Sequence, residues 1–124
     1  MTLIPDLSRA EFDILRVLWK NEKLSIREVH DALEKTYNWA YSTTKTMMDR
    51  MVKKNLLSRE EFHRVFLYKP LISRPQGLAK WVEFVADRVL EMDQGAVVSL
   101  FARNKVLKPE EIEELTQLLK SNEN

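Results

Sequence analysis

Short hydroxyls and long cations share one side of the stretch WAYSTTKTMMDRMVKKN, residues 39–55. On a helix, Ser42, Lys45, Thr46, Asp49, Arg50 and Lys53 fall on one face, with Thr43 near its boundary. Thr44, Met47, Met48, Met51 and Val52 form an apolar stripe opposite. Serine and threonine hydroxyls and lysine and arginine cations bond phosphate oxygens, and they also reach base edges in a major groove. A helix with one face in a core and this set on the other has the chemistry of a recognition helix. An ordinary solvated amphipathic helix would carry similar residues, so the surroundings must decide.

Other chemistry finds little support. The chain has no cysteine, which excludes disulfides, thiolate metal sites and thiol catalysis. Two glycines leave no room for a Gly-rich phosphate loop. His30 and His63 belong to different elements. His30 has Glu34 four residues on, but this pair reads as a surface histidine beside a carboxylate rather than half a metal site. His63 falls at a hairpin tip, suited to solvent or phosphate. Ser42 and Thr43 have no histidine placed to act as a base. The acidic residues of Glu110-Glu111-Ile112-Glu113-Glu114 read as a solvated helix face. Trp39, Trp81 and the five methionines read as core or interface filler. No catalytic residue, metal ligand or cofactor is expected, and no enzyme.

The net charge of +1 says nothing about nucleic acid, but its distribution does. Residues 1–75 hold 14 Lys/Arg against 10 Asp/Glu, whereas residues 76–124 hold 6 against 9. Between Lys45 and Arg74 the balance is 8 against 3, so positive charge gathers on the hydroxyl-and-cation helix and on the segment C-terminal to it. One half is built to face a polyanion and the other a partner or solvent. The opening MTLIPDLSRAE lacks the pattern of a signal peptide, and no apolar run is long enough to span a bilayer. Without cysteines or membrane segments, the expectation is a cytoplasmic protein with no membrane insertion.

The elements that must position the polar face are set by caps and periods. Ser8 and Glu11 form a capping box, with Leu7 as the staple. Phe12, Leu15, Leu18 and Trp19 then recur on one face of a first helix through Lys20. Ser25 and Glu28 repeat the box, and Ile26, Val29, Ala32 and Leu33 give a second helix a buried stripe to about Lys35. Leu24 before it suits a one- or two-residue strand. Tyr37-Asn38-Trp39 is a turn, the third helix covers about Tyr41 to Lys54, and Asn55 is a left-handed stop. Leu57 to Glu60 and Val65 to Tyr68 read as two short strands, with Glu61-Phe62-His63-Arg64 as the tip. Pro70 and Pro75 should block further regular structure. Three helices and a hairpin in this order make a winged helix-turn-helix.

From Gln76 the chain turns wholly helical. Leu78, Trp81, Val82, Val85, Val89 and Met92 stripe one helix to about Met92. Asp93-Gln94-Gly95 breaks it, and Val97, Val98, Leu100 and Phe101 mark a shorter helix from Ala96 to Arg103. Pro109 opens a last helix, with Glu110 and Glu111 on its dipole and Ile112, Leu115, Leu118 and Leu119 inward. Three short helices cannot easily bury so many apolar residues, which suggests a second copy of the chain. The expected fold is mainly α with a small β-hairpin. A winged helix-turn-helix domain over residues 1–75 precedes a helical dimerisation region over residues 76–124.

Several of these residues together resemble the penicillinase repressor (BlaI/MecI/CopY) family of transcription regulators. Leu7-Ser8, Ala10-Glu11 and Leu18-Trp19 are similar to its opening. Trp39, Thr43, Lys45-Thr46, Arg50, Val52-Lys53-Lys54 and Leu56 look like its third-helix segment. Arg64, Tyr68 and Pro70 match its R-x-x-x-Y-x-P wing, and the similarity continues through Asp87-Arg88, Phe101, Leu107 and residues 110–115. The resemblance implies a homodimeric repressor on a palindromic operator of double-stranded DNA. Thr43, Lys45 and Thr46 would meet the major groove with Ser42 at its entrance. Arg50, Lys53 and Lys54 would contact the backbone, and Arg64 would be the wing contact. Dimerisation would fall to Leu78, Trp81, Val82, Val85, Val89, Val97, Leu100, Phe101, Ile112 and Leu115.

The resemblance also implies that repression ends through a membrane sensor protease or through copper at a C-terminal Cys-x-Cys pair. The chain has no cysteine for the copper trigger, and it reads Leu100-Phe101 where the staphylococcal type is cut between Asn and Phe. Glu91-Met92 stands at the usual Gly-Gly, and Ala40 replaces the N-cap serine of the third helix, losing about 1 kcal/mol unless Ser42 substitutes. Asp49 should repel phosphate, so it should point away, pair with Lys45 or Lys53, or accept from a cytosine amino group. Two other readings remain at this point. A winged-helix adaptor would dock a protein partner through the apolar C-terminal helices, and a ligand-sensing regulator would need a roomy pocket.

Overall fold

The computed structural model describes residues 5–121 of the chain, which divide into two compact units. One is Leu7–Ser73; the other comprises residues 74–121 together with residues 5–6.

Both capping boxes of the first unit form. Helix α1 (Arg9–Asn21) starts with the Glu11 N–H donating to Ser8 Oγ at 3.1 Å and the Ser8 N–H to Glu11 Oε1 at 2.9 Å. Helix α2 (Ile26–Tyr37) repeats this with Ser25 and Glu28 and stops at Asn38, whose φ of 43° is left-handed. Satisfying two otherwise free N–H groups at each start fixes where both helices begin. The second helix runs to Tyr37, two residues beyond the expected Lys35. There Tyr37 stacks on Trp39 with ring centroids 4.3 Å apart, and its hydroxyl donates to the Asp13 carboxylate. Helix α3 (Tyr41–Lys53) comes next, and Asn55 ends it in the expected left-handed conformation (φ 62°).

Strands β1 (Leu57–Phe62) and β2 (Val65–Pro70) pair antiparallel from Leu57↔Pro70 to Phe62↔Val65. Leu24 adds the expected short third rung, exchanging backbone hydrogen bonds with Tyr68 at 3.1 and 2.8 Å. The strands are longer than the sequence suggested, and the tip is two residues rather than four. His63 and Arg64 both take positive φ (51° and 67°), which closes a mirror-image turn and lets Glu61 and Phe62 stay in the ladder. Pro70 is itself the last residue of β2, two positions beyond the expected end at Tyr68.

The core of this unit joins α1, α2, α3 and the hairpin. Ile14, Leu15, Leu18, Val29, Met48, Met51 and Tyr68 are fully buried in it. Burial of each such side chain contributes roughly 1.5–3 kcal/mol. One inward position of α2 corrects the expectation. Ala32 is exposed and His30 is buried instead. A histidine outlasts an alanine inside because a polar partner waits for it on α3.

In the second unit, α4 (Arg74–Phe84) begins two residues earlier than expected, with Pro75 inside its first turn. Proline there removes an N–H that has no helical acceptor anyway, so it starts the helix rather than blocking it. From Val85 to Val89 the helix widens into a π turn, with the Leu90 N–H donating to Val85 O at 2.8 Å. The wider turn rotates the stripe. Ala86 is buried, Val85 is half-buried, and Val89 and Met92 face solvent. A 3.6-residue period cannot foresee that. Helix α5 (Gln94–Arg103) absorbs Gln94 and Gly95, which read as a break, and α6 (Pro109–Ser121) starts at its proline. Ala79, Val82, Ala86, Val97, Val98, Leu107, Leu115 and Leu119 form this unit's core.

The mirror-image turn carries a prediction. Left-handed backbone costs a side-chain-bearing residue about 1 kcal/mol, and Asn-Gly is the pair this turn favours. Replacing His63 with Asn and Arg64 with Gly should therefore raise the urea midpoint, by about 1 kcal/mol of stability. A lowered midpoint would show that the tip does not adopt this turn.

Candidate nucleic-acid interface

The inward stripe of α3 fixes which side of the helix faces out. Thr44, Met48 and Met51 are buried, and Met47 and Val52 are half-buried. A buried hydroxyl needs a partner, and Thr44 has one: its Oγ1 lies 2.8 Å from Nδ1 of His30 on α2. The His30 ring meets Tyr41 edge-on at 5.6 Å, and the Arg27 guanidinium lies 4.6 Å above the Tyr41 ring. The two helices of the helix-turn-helix are thus joined by a buried polar contact as well as by apolar packing. That fixes the roll of α3 about its axis.

With this roll, Ser42, Thr43, Lys45, Thr46, Arg50 and Lys53 are all exposed. Thr43, placed near the boundary by periodicity, joins the outward set. Arg50 and Lys53 occupy the last turn, where cations suit the helix dipole. The N-terminus is less well provided. Ala40 gives no side-chain cap and Ser42 does not substitute for it.

Lys54 has a second employment. Its Nζ donates to Glu11 Oε2 at 2.7 Å, tying the end of α3 to the capping box of α1. The Glu11 side chain is only 8% exposed, whereas that of Lys54 is 58% exposed, so ammonium donors remain for a phosphate. Arg64 stands at the exposed tip of the hairpin. All eight cations and hydroxyls named from the sequence therefore lie on α3, at its end, or at the wing tip, and all are exposed.

Two residues that shape this surface, one on it and one beneath it, carry no signal of that role in the sequence pattern. Arg59 on β1 reaches Asp49 Oδ1 at 3.4 Å and lies 4.6 Å over the Phe66 ring. Its strand register pairs it with buried Tyr68, beside α3. Burial lifts the Tyr68 hydroxyl above its ordinary value, partly offset by the Arg59 guanidinium. Asp49 pairs with Lys45, one of its two expected partners, at 3.9 Å, and also with Arg59, which was not among them. No periodicity links a strand residue to a helix residue ten positions away, so the sequence holds no signal for this contact. His30, which reads as a surface residue, is the other omission; the hydroxyl at Thr44 is the signal that a buried partner is needed.

The ten apolar residues assigned to association divide by placement. Val82, Val97 and Leu115 lie in the second unit's own core. Leu78, Val85, Phe101 and Ile112 are half-buried, while Trp81, Val89 and Leu100 are exposed. Leu78, Trp81, Val82, Val85, Val97 and Phe101 line an apolar cavity of about 150 Å³. Phe84 and Leu90 of the same unit are also exposed. Among the described residues no group of three His, Cys, Asp or Glu is arranged to hold a metal, and no helix is long and apolar enough to cross a membrane.

The penicillinase repressor family model matches residues 7–121. The chain belongs to that family. It is 33% identical over 124 residues to the penicillinase repressor of Bacillus licheniformis, covering 100% of this chain and 97% of that one. The penicillinase repressor of Staphylococcus aureus is 25% identical over 92% of this chain and 90% of its own. Among solved structures, the B. licheniformis repressor BlaI, in monomeric form with the blaP half-operator, is similar at 37% identity and a TM-score of 0.53. That match covers 61% of this chain and 93% of the other. Within the penicillinase repressor family, then, this chain has the helix-turn-helix and wing, with an Asp49–Arg59 contact between them.

The Glu11–Lys54 tie predicts a pH dependence. Burial raises the Glu11 carboxyl, but hydrogen bonds from Lys54 and from the Ser8 N–H outweigh it and hold it below its ordinary value of 4.5. A carboxyl depressed in the folded state contributes stability above its unfolded value and loses it as pH falls through the folded one. Glu11→Gln should therefore be less stable than the parent near pH 7, and the gap should narrow as pH falls below 4.5 and through the depressed folded value. Urea midpoints at several pH values check this; a gap independent of pH would contradict the ion pair.

Proposed function

We propose that this chain is a transcriptional repressor that binds double-stranded DNA sequence-specifically, as a homodimer on a palindromic operator. The observation that carries the reading is the outward face of α3. A buried contact and an apolar stripe set its roll, and hydroxyls and cations are left outward along its length. Such a face lies in a major groove with its N-terminal residues at the base edges. Ser42, Thr43, Lys45 and Thr46 are those residues. Arg50, Lys53, Lys54 and the wing's Arg64 hold the flanking phosphates, which position the protein without reading sequence.

The half-operator bound by the related B. licheniformis BlaI supports one helix-turn-helix per half-site. Two copies joined through the exposed part of the second unit would impose two-fold symmetry on the site. Trp81, Phe84, Val89, Leu90 and Leu100 supply apolar area for that union, and the half-buried Leu78, Val85 and Phe101 continue it. Repression results from steric block of transcription, in the cytoplasm. A membrane sensor protease acting on this chain at Leu100-Phe101 would meet a bond inside α5 and would need that helix to unwind locally. An adaptor that never meets DNA has no use for the excess of cations between residues 45 and 74.

The test is a pair of titrations, on the DNA upstream of the chain's own gene and on random DNA of equal length, each at two salt concentrations. Tight binding to the upstream DNA by two chains per site is expected. Equal, salt-labile binding to both would leave only a basic surface. Lys45→Ala and Thr46→Ala should lose affinity in a base-dependent way. Lys53→Ala should weaken both DNAs alike and lower the salt slope by about 1. Equal losses by all three variants on both DNAs would overturn these roles.

A further inference from the structure

Asp49 is an acid in the middle of a surface built to meet a polyanion. Its neighbours three and four positions back are Thr46 and Lys45, both candidate base readers. Its carboxylate has Lys45 Nζ 3.9 Å away on one oxygen and Arg59 Nη1 3.4 Å away on the other. None of the three is sealed off: the side chains are 36%, 61% and 42% exposed. Arg59 is also held from its other side, with its guanidinium over the Phe66 ring. In the free protein one carboxylate thus occupies two cations, one on the recognition helix and one on the wing, with α3 and β1 bridged through it.

Asp49 has a direct consequence for any DNA that approaches. Phosphate must displace the carboxylate from Lys45 and Arg59, and it must tolerate the carboxylate nearby. Exposed pairs of this kind are weak, each worth about a two- to fivefold effect on an equilibrium, so the arrangement restrains binding without forbidding it. Where the facing base edge offers an amino group, the carboxylate gains a donor, as aspartate does from the N4 amino group of cytosine. Where the edge offers guanine O6 and N7 or thymine O4, it meets acceptors and repels.

Building on the DNA-binding reading above, we propose that Asp49 is a specificity-determining residue. It withholds Lys45 and Arg59 from indiscriminate phosphate binding and favours operators that present a cytosine amino group to the middle of α3. Discrimination then arises from the penalty on wrong DNA as much as from contacts to the right one. Arg59 is the wing cation whose release this controls.

The experiment compares the full chain with Asp49→Asn, Asp49→Glu and a charge-matched control, Glu34→Gln, at an exposed position of α2. Each is titrated against upstream DNA and random DNA across a salt series. Asp49→Asn should bind random DNA about tenfold more tightly, as two exposed pairs are released. Its salt slope should steepen by roughly 1, and its affinity for the upstream DNA should stay level or fall. Asp49→Glu should keep the parent's discrimination, and Glu34→Gln should leave both affinities within about twofold. If Asp49→Asn weakens or leaves unchanged its binding to random DNA, or strengthens binding to both DNAs equally, the proposal is overturned. The parent's own preference for upstream over random DNA, read in the same series, reports separately on the DNA-binding reading. A parent without preference would fail that reading, whatever Asp49 does.

Discussion

The arrangement of the DNA-facing unit depends on one constraint: α3 must keep its inward stripe buried while its outward face stays polar and charged. The stripe of Thr44, Met48 and Met51 alone would allow some rotation, because methionine is unbranched and adapts to its surroundings. The bond between Thr44 and His30 removes that freedom. A buried hydroxyl that lost its partner would cost about 1–3 kcal/mol, so the helix cannot roll by one position without a penalty. Everything proposed for the outward face inherits its direction from this contact.

The second tier of organisation ties the middle and end of α3 to the rest of its unit. Lys54 clamps its C-terminal end to Glu11 in the first capping box, and Asp49 bridges its middle to Arg59 on β1. Leu24 pairs with Tyr68, so the segment between α1 and α2 also supports the wing. The same ion pairs thus hold the elements together and determine how many cations remain for phosphate. Function and stability are coupled at Lys54 in particular, since one ammonium serves Glu11 and faces solvent.

Much of this is legible in the residues. The two capping boxes, the left-handed stop at Asn55 and the amphipathic third helix are local signals, and each forms where its residues lie. The differences are of another kind. His30 reads as a surface residue because its burial depends on a partner fourteen residues away, and Arg59 goes unnoticed because strand and helix meet only in the folded chain. The hairpin tip is narrower than expected because two non-glycine residues accept a left-handed backbone, a choice that no composition rule anticipates. In the second unit the stripe along residues 78–92 assumes a constant helical period, and the π turn at Val85–Val89 breaks that assumption. Local chemistry is readable; contacts made by topology are not.

The proposed role of the outer face of α3 is to read base edges in a major groove. Dimethyl sulfate footprinting tests it directly, because it methylates guanine N7 in the major groove and adenine N3 in the minor. With the protein bound to its upstream DNA, guanine N7 should be protected in two clusters. These should be related by symmetry and spaced by about 10 base pairs or a multiple of it. Binding that protects the sugar–phosphate backbone but leaves every guanine N7 as reactive as in free DNA would contradict it.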